Sequence, residues 1–358
     1  MRVLVIRLRL IGDVVFTTPL IRALRRQFPD GHLSYLVEPA AAPVVHGNPH
    51  LNTVIVVPRR RGLQRIADDV ALARRLRRER YDVVIDMHGG PRSAWLTWAT
   101  RAPMRIGYRM KGRAWMYTHR VERARDLTPR HAVVNQWDLL APLGIASPEP
   151  ARDAVEMAED TAVAERLERR LRDAAILGHP LVVVHVSAGN PFRRWPEASF
   201  AILVAALAQQ DPRRRILLTS GPSDLPAARR IADEARRQLG PLAIAVPDAG
   251  EFDLQELHAL VARAAVYIGG DSGPLHVAAT TRTPIVELLG PTLPERSRPW
   301  RDPRWFAETI DVGALPCRPC HQRHCAPGDF RCLTQITPER VASAAERALA
   351  ANWKEADV

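Results

Sequence analysis

The chain has 358 residues, 46% hydrophobic and 25% charged, which reads as a globular protein too long for one ordinary core. No apolar run reaches the length of a membrane span. The opening MRVLVIRLRLIGD alternates arginine with aliphatics instead of holding an unbroken signal core, so a cytoplasmic protein is expected. A formal charge of +12 favours anionic partners: phosphorylated substrates, lipid headgroups or nucleic acid.

Residues 2–6 (RVLVI) read as a buried strand. A helix from Thr18-Pro19 to Phe28 follows, then a strand at 32–37, a helical patch near 39–47 and a strand at 53–57. A basic helix at 63–79 leads to a strand at 82–87 that ends in His88-Gly89-Gly90. Aliphatic strands alternating with helices predict a parallel sheet covered on both faces, a Rossmann-like unit. At 144–153 (GIASPEPARD) the pattern lapses, which places a domain boundary near 150.

The alternation then restarts with a charged helix at 158–173, strand 181–186, helix 197–210, strand 215–219 and helix 224–238. Strand 242–246, helix 253–263, strand 265–268, helix 274–280 and strand 284–288 complete it. The expectation is α/β: two doubly wound Rossmann-like domains, 1–150 and 151–335, facing a central cleft. A helix within 336–358 is expected to pack back on the first domain.

Four constellations can carry chemistry. Asp13 follows Gly12 in the loop after the first strand, where it reads either as a helix cap or as a general base. In VYIGGDSGPLHVAA (266–279) a strand breaks at two glycines, presents Asp271 and Ser272, and turns at Gly273-Pro274 into a helix. That is an anion site or a capped helix start. The loop 187–196 runs from Ser187 through small residues to Arg193 and Arg194, a sequence suited to a diphosphate. Cys317, Cys320, Cys325 and Cys332 form C-x2-C-x4-C-x6-C, which reads as a structural zinc site or a reduced loop. Arg59–Arg61 and the basic stretch 101–130, interleaved with Tyr108, Trp115 and Tyr117, are candidate phosphate-facing surfaces.

GDVVFTTPLIRALRRQFP (12–29), DMHGGPRSA (86–94), the loop ending RRWP and GGDSGPLHVAATTRTPIVELLGPTLP (269–294) occur in one order along the chain. Together they resemble the bacterial lipopolysaccharide heptosyltransferases, glycosyltransferase family 9, over essentially the whole length. The resemblance implies a GT-B architecture with an acceptor-binding first domain and a second domain that binds ADP-heptose.

It also implies an inverting transfer to a phosphorylated lipid A–core acceptor at the anionic inner-membrane surface, with no required cofactor and no nucleic acid. By the same resemblance Asp13 is the catalytic base. Donor contacts fall on Ser187, Arg193, Arg194, Asp224, Asp271, Ser272, Gly273 and His276, and acceptor contacts on Arg9, Gly12, His88 and Arg92. Arg9 and Leu10 stand where the family often has small polar residues, and Asp224 where it has a glutamate for the donor ribose. A nucleotide-sugar epimerase and a non-catalytic membrane- or nucleic-acid-binding protein are the alternatives.

Overall fold

Unbroken aliphatic runs build two parallel sheets, because each such strand must be buried on both faces. The computed structural model describes residues 1–57, 60, 62–123 and 129–355. It divides into two units, Met1–Ala158 and Glu159–Val358.

The first unit runs β1 (Arg2–Ile6), α1 (Ile11–Val15), α2 (Thr18–Gln27), β2 (His32–Val37), β3 (Thr53–Val56) and α3 (Gly62–Arg78). It continues with β4 (Val83–Asp86), α4 (Pro91–Ala99), β5 (Met104–Tyr108), β6 (His119–Val121) and α5 (Ala132–Trp137). The strand order is β3-β2-β1-β4-β5-β6, all parallel. Direction of winding reverses between β1 and β4. Loops leaving their carboxyl ends therefore diverge and open a crevice, the usual ligand position of such sheets. Ile6 is in register with Asp86, so the loops starting at Arg7 and Met87 leave side by side.

The second unit runs α6 (Thr161–Asp173), β7 (Leu181–His185), α7 (Glu197–Gln210), β8 (Arg215–Thr219), α8 (Leu225–Leu239) and α9 (Leu254–Ala262). Then come β9 (Val266–Gly270), α10 (Gly273–Ala278), β10 (Ile285–Leu288), α11 (Pro294–Ser297), β11 (Ala307–Ile310), α12 (Arg331–Thr334) and α13 (Pro338–Glu355). Its order is β11-β10-β9-β7-β8, also parallel, with the switch between β7 and β9. His185 is in register with Gly269, which brings the 186–195 and 271–274 loops out together.

Four expectations need correction. Residues 242–246 do not form a strand: Gly240–Ala245 is a 3-10 turn with Ile244 70% exposed. Pro241 has no N–H to give a ladder, and the run holds alanines where a strand needs branched residues. A strand at Ala307–Ile310 was not anticipated and closes the far edge of the sheet.

The boundary falls after Ala158, because the segment beyond the Gly/Pro stretch is still tied to α2. Arg26 pairs with Asp153 at 2.5 Å, Arg22 donates to the Ala154 carbonyl at 2.6 Å, and the Glu156 N–H reaches Thr18 Oγ1 at 2.9 Å. The tail helix α13 belongs to the second unit. Its Val341, Ala345, Ala348 and Leu349 share one buried cluster with Leu203, Val204 and Leu207 of α7. Alanines let the two helix backbones approach, and Arg214 and Glu346 close the contact at 2.6 Å.

Candidate active site

At the first switch point Asp13 lies inside the first turn of α1, beyond its start. It does not act as a cap of any strength, since its only bond to the helix start, from the Leu10 N–H, is 3.5 Å long. Its partner is Arg7, whose Nη2 stands 2.5 Å from Oδ2. Arg7 also donates to the Met87 carbonyl, so one guanidinium ties the loops leaving β1 and β4. The Asp13 side chain is 33% exposed, and Oδ1 has no protein partner among the described residues. One carboxylate oxygen is held while the other faces solvent.

Asp86, fully buried at the end of β4, shapes the neighbouring turn. It accepts N–H groups from His88 at 3.0 Å and Gly89 at 2.9 Å, and the Tyr117 hydroxyl at 2.6 Å. Gly89 takes φ +66°, the left-handed region where glycine carries no penalty. His88 is thereby set beside Arg7 and Arg9. Burial, and then the charges of those two arginines, push its imidazole down to about 4, so it is neutral at pH 7.

Leu8, Arg9, Glu38, Arg60, Arg65, His88, Gly90, Pro91 and Arg92 line a cavity of about 400 Å³. Arg92 is committed within it, to Asp69 at 2.6 Å and Glu38 at 3.5 Å. Arg60 and Arg65 approach Asp68 and Asp69 at 3.3 and 3.7 Å. Arg9 is exposed and has no carboxylate partner among the described residues. Of the predicted acceptor residues, then, Arg9 and His88 are available and Arg92 holds the wall. Gly12 is buried in α1.

Arg59, Arg61 and residues 124–128 lie outside the described residues. Tyr108 and Tyr117 are buried, so among the described residues the aromatic part of the expected 101–130 face is exposed Trp115, packed edge-on against Trp98, over which Arg101 stacks at 3.9 Å, while Arg101, Arg109, Lys111 and Arg120 stay exposed.

At the second switch point Asp271 follows β9 and is 3% exposed. Arg193 Nη1 lies 2.9 Å from its Oδ2 and donates to its carbonyl at 3.2 Å; His276 Nε2 is 3.8 Å from Oδ1. Burial alone would raise this carboxyl. The His276 hydrogen bond and the Arg193 charge overcome it and hold the group below the usual carboxylate range. Gly270 permits the pairing, because a Cβ there would meet the Arg193 carbonyl at 3.3 Å.

Ser272 occupies the cap position of α10 without capping it, and its buried hydroxyl has no partner among the described residues. Gly273 opens α10, which is only six residues long. The adjacent arginine does a different job. Arg194 pairs with Asp224 at 2.8 Å and donates to the Ala188 carbonyl at 3.0 Å, while Ser187 Oγ accepts the Gly221 N–H at 2.6 Å. The predicted Ser187, Arg194 and Asp224 therefore join the 187 and 221 loops to each other.

Sequence reasoning missed three groups. Arg7 stood in a run of basic residues with nothing to single it out. Gln322 accepts from Arg193 Nε at 2.7 Å, a contact that depends wholly on folding. Glu287 left a visible signal, an acid within the buried run PIVELL. It is fully buried in β10, in register with Gly269, and accepts the Thr309 hydroxyl at 2.7 Å. Burial first, then the charge of Asp271, push it up to about 8, so it is a neutral acid at pH 7.

The four cysteines are free thiols around a cavity of about 590 Å³ beside Phe192 and Phe330. Burial and the neighbouring thiols push Cys332 up. Among the described residues no group of three or more His, Cys, Asp or Glu side chains is placed to hold a metal ion. No described helix is long and apolar enough to cross a membrane.

Among solved structures, the chain is similar to a glycosyl transferase family 9 protein from Veillonella parvula DSM 2008. The TM-score is 0.84 at 23% identity, over 98% of this chain and 97% of that one. It is also similar to E. coli ADP-heptose lps heptosyltransferase II, with a TM-score of 0.74 at 20% identity over 98% and 99% of the two chains. These likenesses define the class of fold, the two-sheet GT-B arrangement. The pattern of glycosyltransferase family 9 (heptosyltransferase) matches residues 70–329, and the chain belongs to that family. Lipopolysaccharide heptosyltransferase 3 of Escherichia coli is 29% identical over 326 residues, 88% of this chain and 92% of that protein.

Proposed function

We propose that this glycosyltransferase moves a heptosyl group from ADP-heptose to a phosphorylated, lipid-linked lipopolysaccharide core, with inversion, at the cytoplasmic face of the inner membrane. The observation that carries the reading is Asp13. Arg7 fixes one oxygen of a switch-point carboxylate and leaves the other without a protein partner among the described residues. Support for the substrate class comes from membership of the heptosyltransferase family and from the names of the relatives.

In the proposed reaction Asp13 Oδ1 takes the proton of an acceptor hydroxyl, whose oxygen attacks the anomeric carbon of the heptose. The bond from that carbon to the diphosphate breaks, and ADP leaves with the electron pair. Asp271 meets the sugar, and Arg193 with the amides of the 272–274 turn takes up charge on the diphosphate. One carboxylate suffices because a diphosphate departs unprotonated, and the reading calls on no cofactor. Arg9 and neutral His88 meet the phosphorylated acceptor, and the positive surface meets anionic headgroups.

A donor screen tests this. ADP-heptose and other nucleotide sugars are offered with Kdo-bearing and heptosylated lipid A. Transfer is expected from ADP-heptose alone and only onto a phosphorylated acceptor. Conversion of the donor without acceptor would point to an epimerase, and nucleic-acid binding without nucleotide-sugar affinity to a binding protein.

A further inference from the structure

Gln322 lies in the cysteine loop, far in sequence from the donor motifs. Its amide oxygen accepts from Arg193 Nε at 2.7 Å and from Asn190 Nδ2 at 2.9 Å. Two donors on one atom leave no choice about which end of the amide is oxygen. The amide nitrogen points to Thr292 Oγ1 at 3.5 Å, and the backbone N–H donates to Cys320 Sγ at 3.2 Å. The residue is held in the left-handed region at φ +56°, a conformation a side-chain-bearing residue adopts only when its surroundings impose it. Phe192 against Phe330, ring centroids 5.5 Å apart, fastens the same two loops.

The consequence falls on Arg193. A guanidinium is a planar fork, so fixing two of its edges fixes the third. Gln322 takes Nε, Asp271 takes Nη1, and Nη2 has no protein partner among the described residues. The Arg193 side chain is 29% exposed, which leaves that edge open to a ligand. Asp271 alone would leave the fork free to swing about one nitrogen, since both of its contacts are to Nη1.

We propose that Gln322 is a positioning residue, which sets the plane of Arg193 so that Nη2 is presented to the diphosphate of a nucleoside diphosphate. The inference rests on the donor-site reading above. It also gives the 317–332 loop a task apart from metal binding: its fold carries Gln322 to the arginine.

The test is ADP titration by calorimetry on the full chain: wild type, Q322M, R193A and the double variant. Methionine keeps the length of the side chain and removes the acceptor. Q322M should weaken ADP about 3- to 10-fold, the worth of one charge-assisted hydrogen bond. In the R193A background it should change affinity less than twofold, since the group it positions is gone. In turnover assays the donor KM should rise while the acceptor KM stays put. Q322A guards against a folding defect of Q322M. Wild-type protein without affinity for ADP would overturn the donor reading and the inference together. Wild type that binds, R193A that weakens and Q322M that does not would overturn the inference alone, as would equal losses in both backgrounds.

Discussion

Asp13 and Asp271 use the same device in two units: each follows a strand at a topological switch point, and each is gripped by an arginine at 2.5 and 2.9 Å. They differ in access. The Asp13 side chain is 33% exposed with one oxygen unengaged, whereas Asp271 is 3% exposed between Arg193 and His276. A carboxylate that must exchange a proton with a substrate needs an open lone pair and a path to it. A carboxylate that orients a sugar and an arginine needs neither, and burial strengthens its contacts. Under the proposed function, this contrast in access suits the first carboxylate to proton transfer and the second to holding the donor.

The sharpest way to break that contrast is Asp13→Asn. Turnover should fall roughly 100- to 10,000-fold, the usual worth of a general base, while ADP affinity stays within about twofold. Single-turnover rates with calorimetry check both halves. Arg193→Ala should do the converse. ADP affinity should drop roughly tenfold or more, and the second unit should lose about 2 kcal/mol because a buried carboxylate loses its arginine and keeps His276. Urea unfolding measures the stability part.

The burial of the second site should also show in its response to pH. His185, 4% exposed, is pushed by burial from 6.5 down to about 4. The unfolded chain binds that proton first, so stability falls as pH drops from 6.5 towards 4. Glu287 is raised from 4.5 to about 8, so it works in the opposite sense, with stability falling as pH rises through that window. Between pH 7 and pH 5 each effect is about 2 kcal/mol and they nearly offset. Glu287→Gln should therefore make the second unit lose about 2 kcal/mol on acidification, and His185→Gln should make it gain about as much. Parallel denaturant titrations at the two pH values read the difference.

The smallest effect belongs to the exposed cavity. Arg9→Ala should raise the acceptor KM about 3- to 10-fold, an effect that shrinks at high salt and leaves the donor KM alone.

Legibility in the sequence follows the same line of burial. Strands such as RVLVI and LVVVH announce themselves, because a parallel sheet buries every residue of them. Once strands and helices alternate, the switch points and their loops follow, so the loops that carry Asp13, Asp271 and the Arg193-Arg194 pair could be singled out in advance. Gly240–Ala245 failed because a short apolar run does not tell a strand from a turn, and Pro241 was the signal overlooked. The unit boundary and α13 depend on which surface a segment packs against, which periodicity does not encode. Arg7 and Gln322 were invisible for a related reason. Arg7 reaches the Met87 carbonyl and Gln322 reaches Arg193, groups far off in sequence that only folding brings together.

The most direct measurement is the configuration of the new glycosidic bond. Wild-type enzyme with ADP-heptose and a phosphorylated lipid A–core acceptor is followed by the anomeric proton signal of the transferred heptose. Direct attack by a hydroxyl that Asp13 deprotonates predicts a product anomer opposite to that of the donor, in wild type and in the residual turnover of Asp13→Asn. A product that retains the donor configuration, or undiminished turnover in Asp13→Asn, would contradict the account.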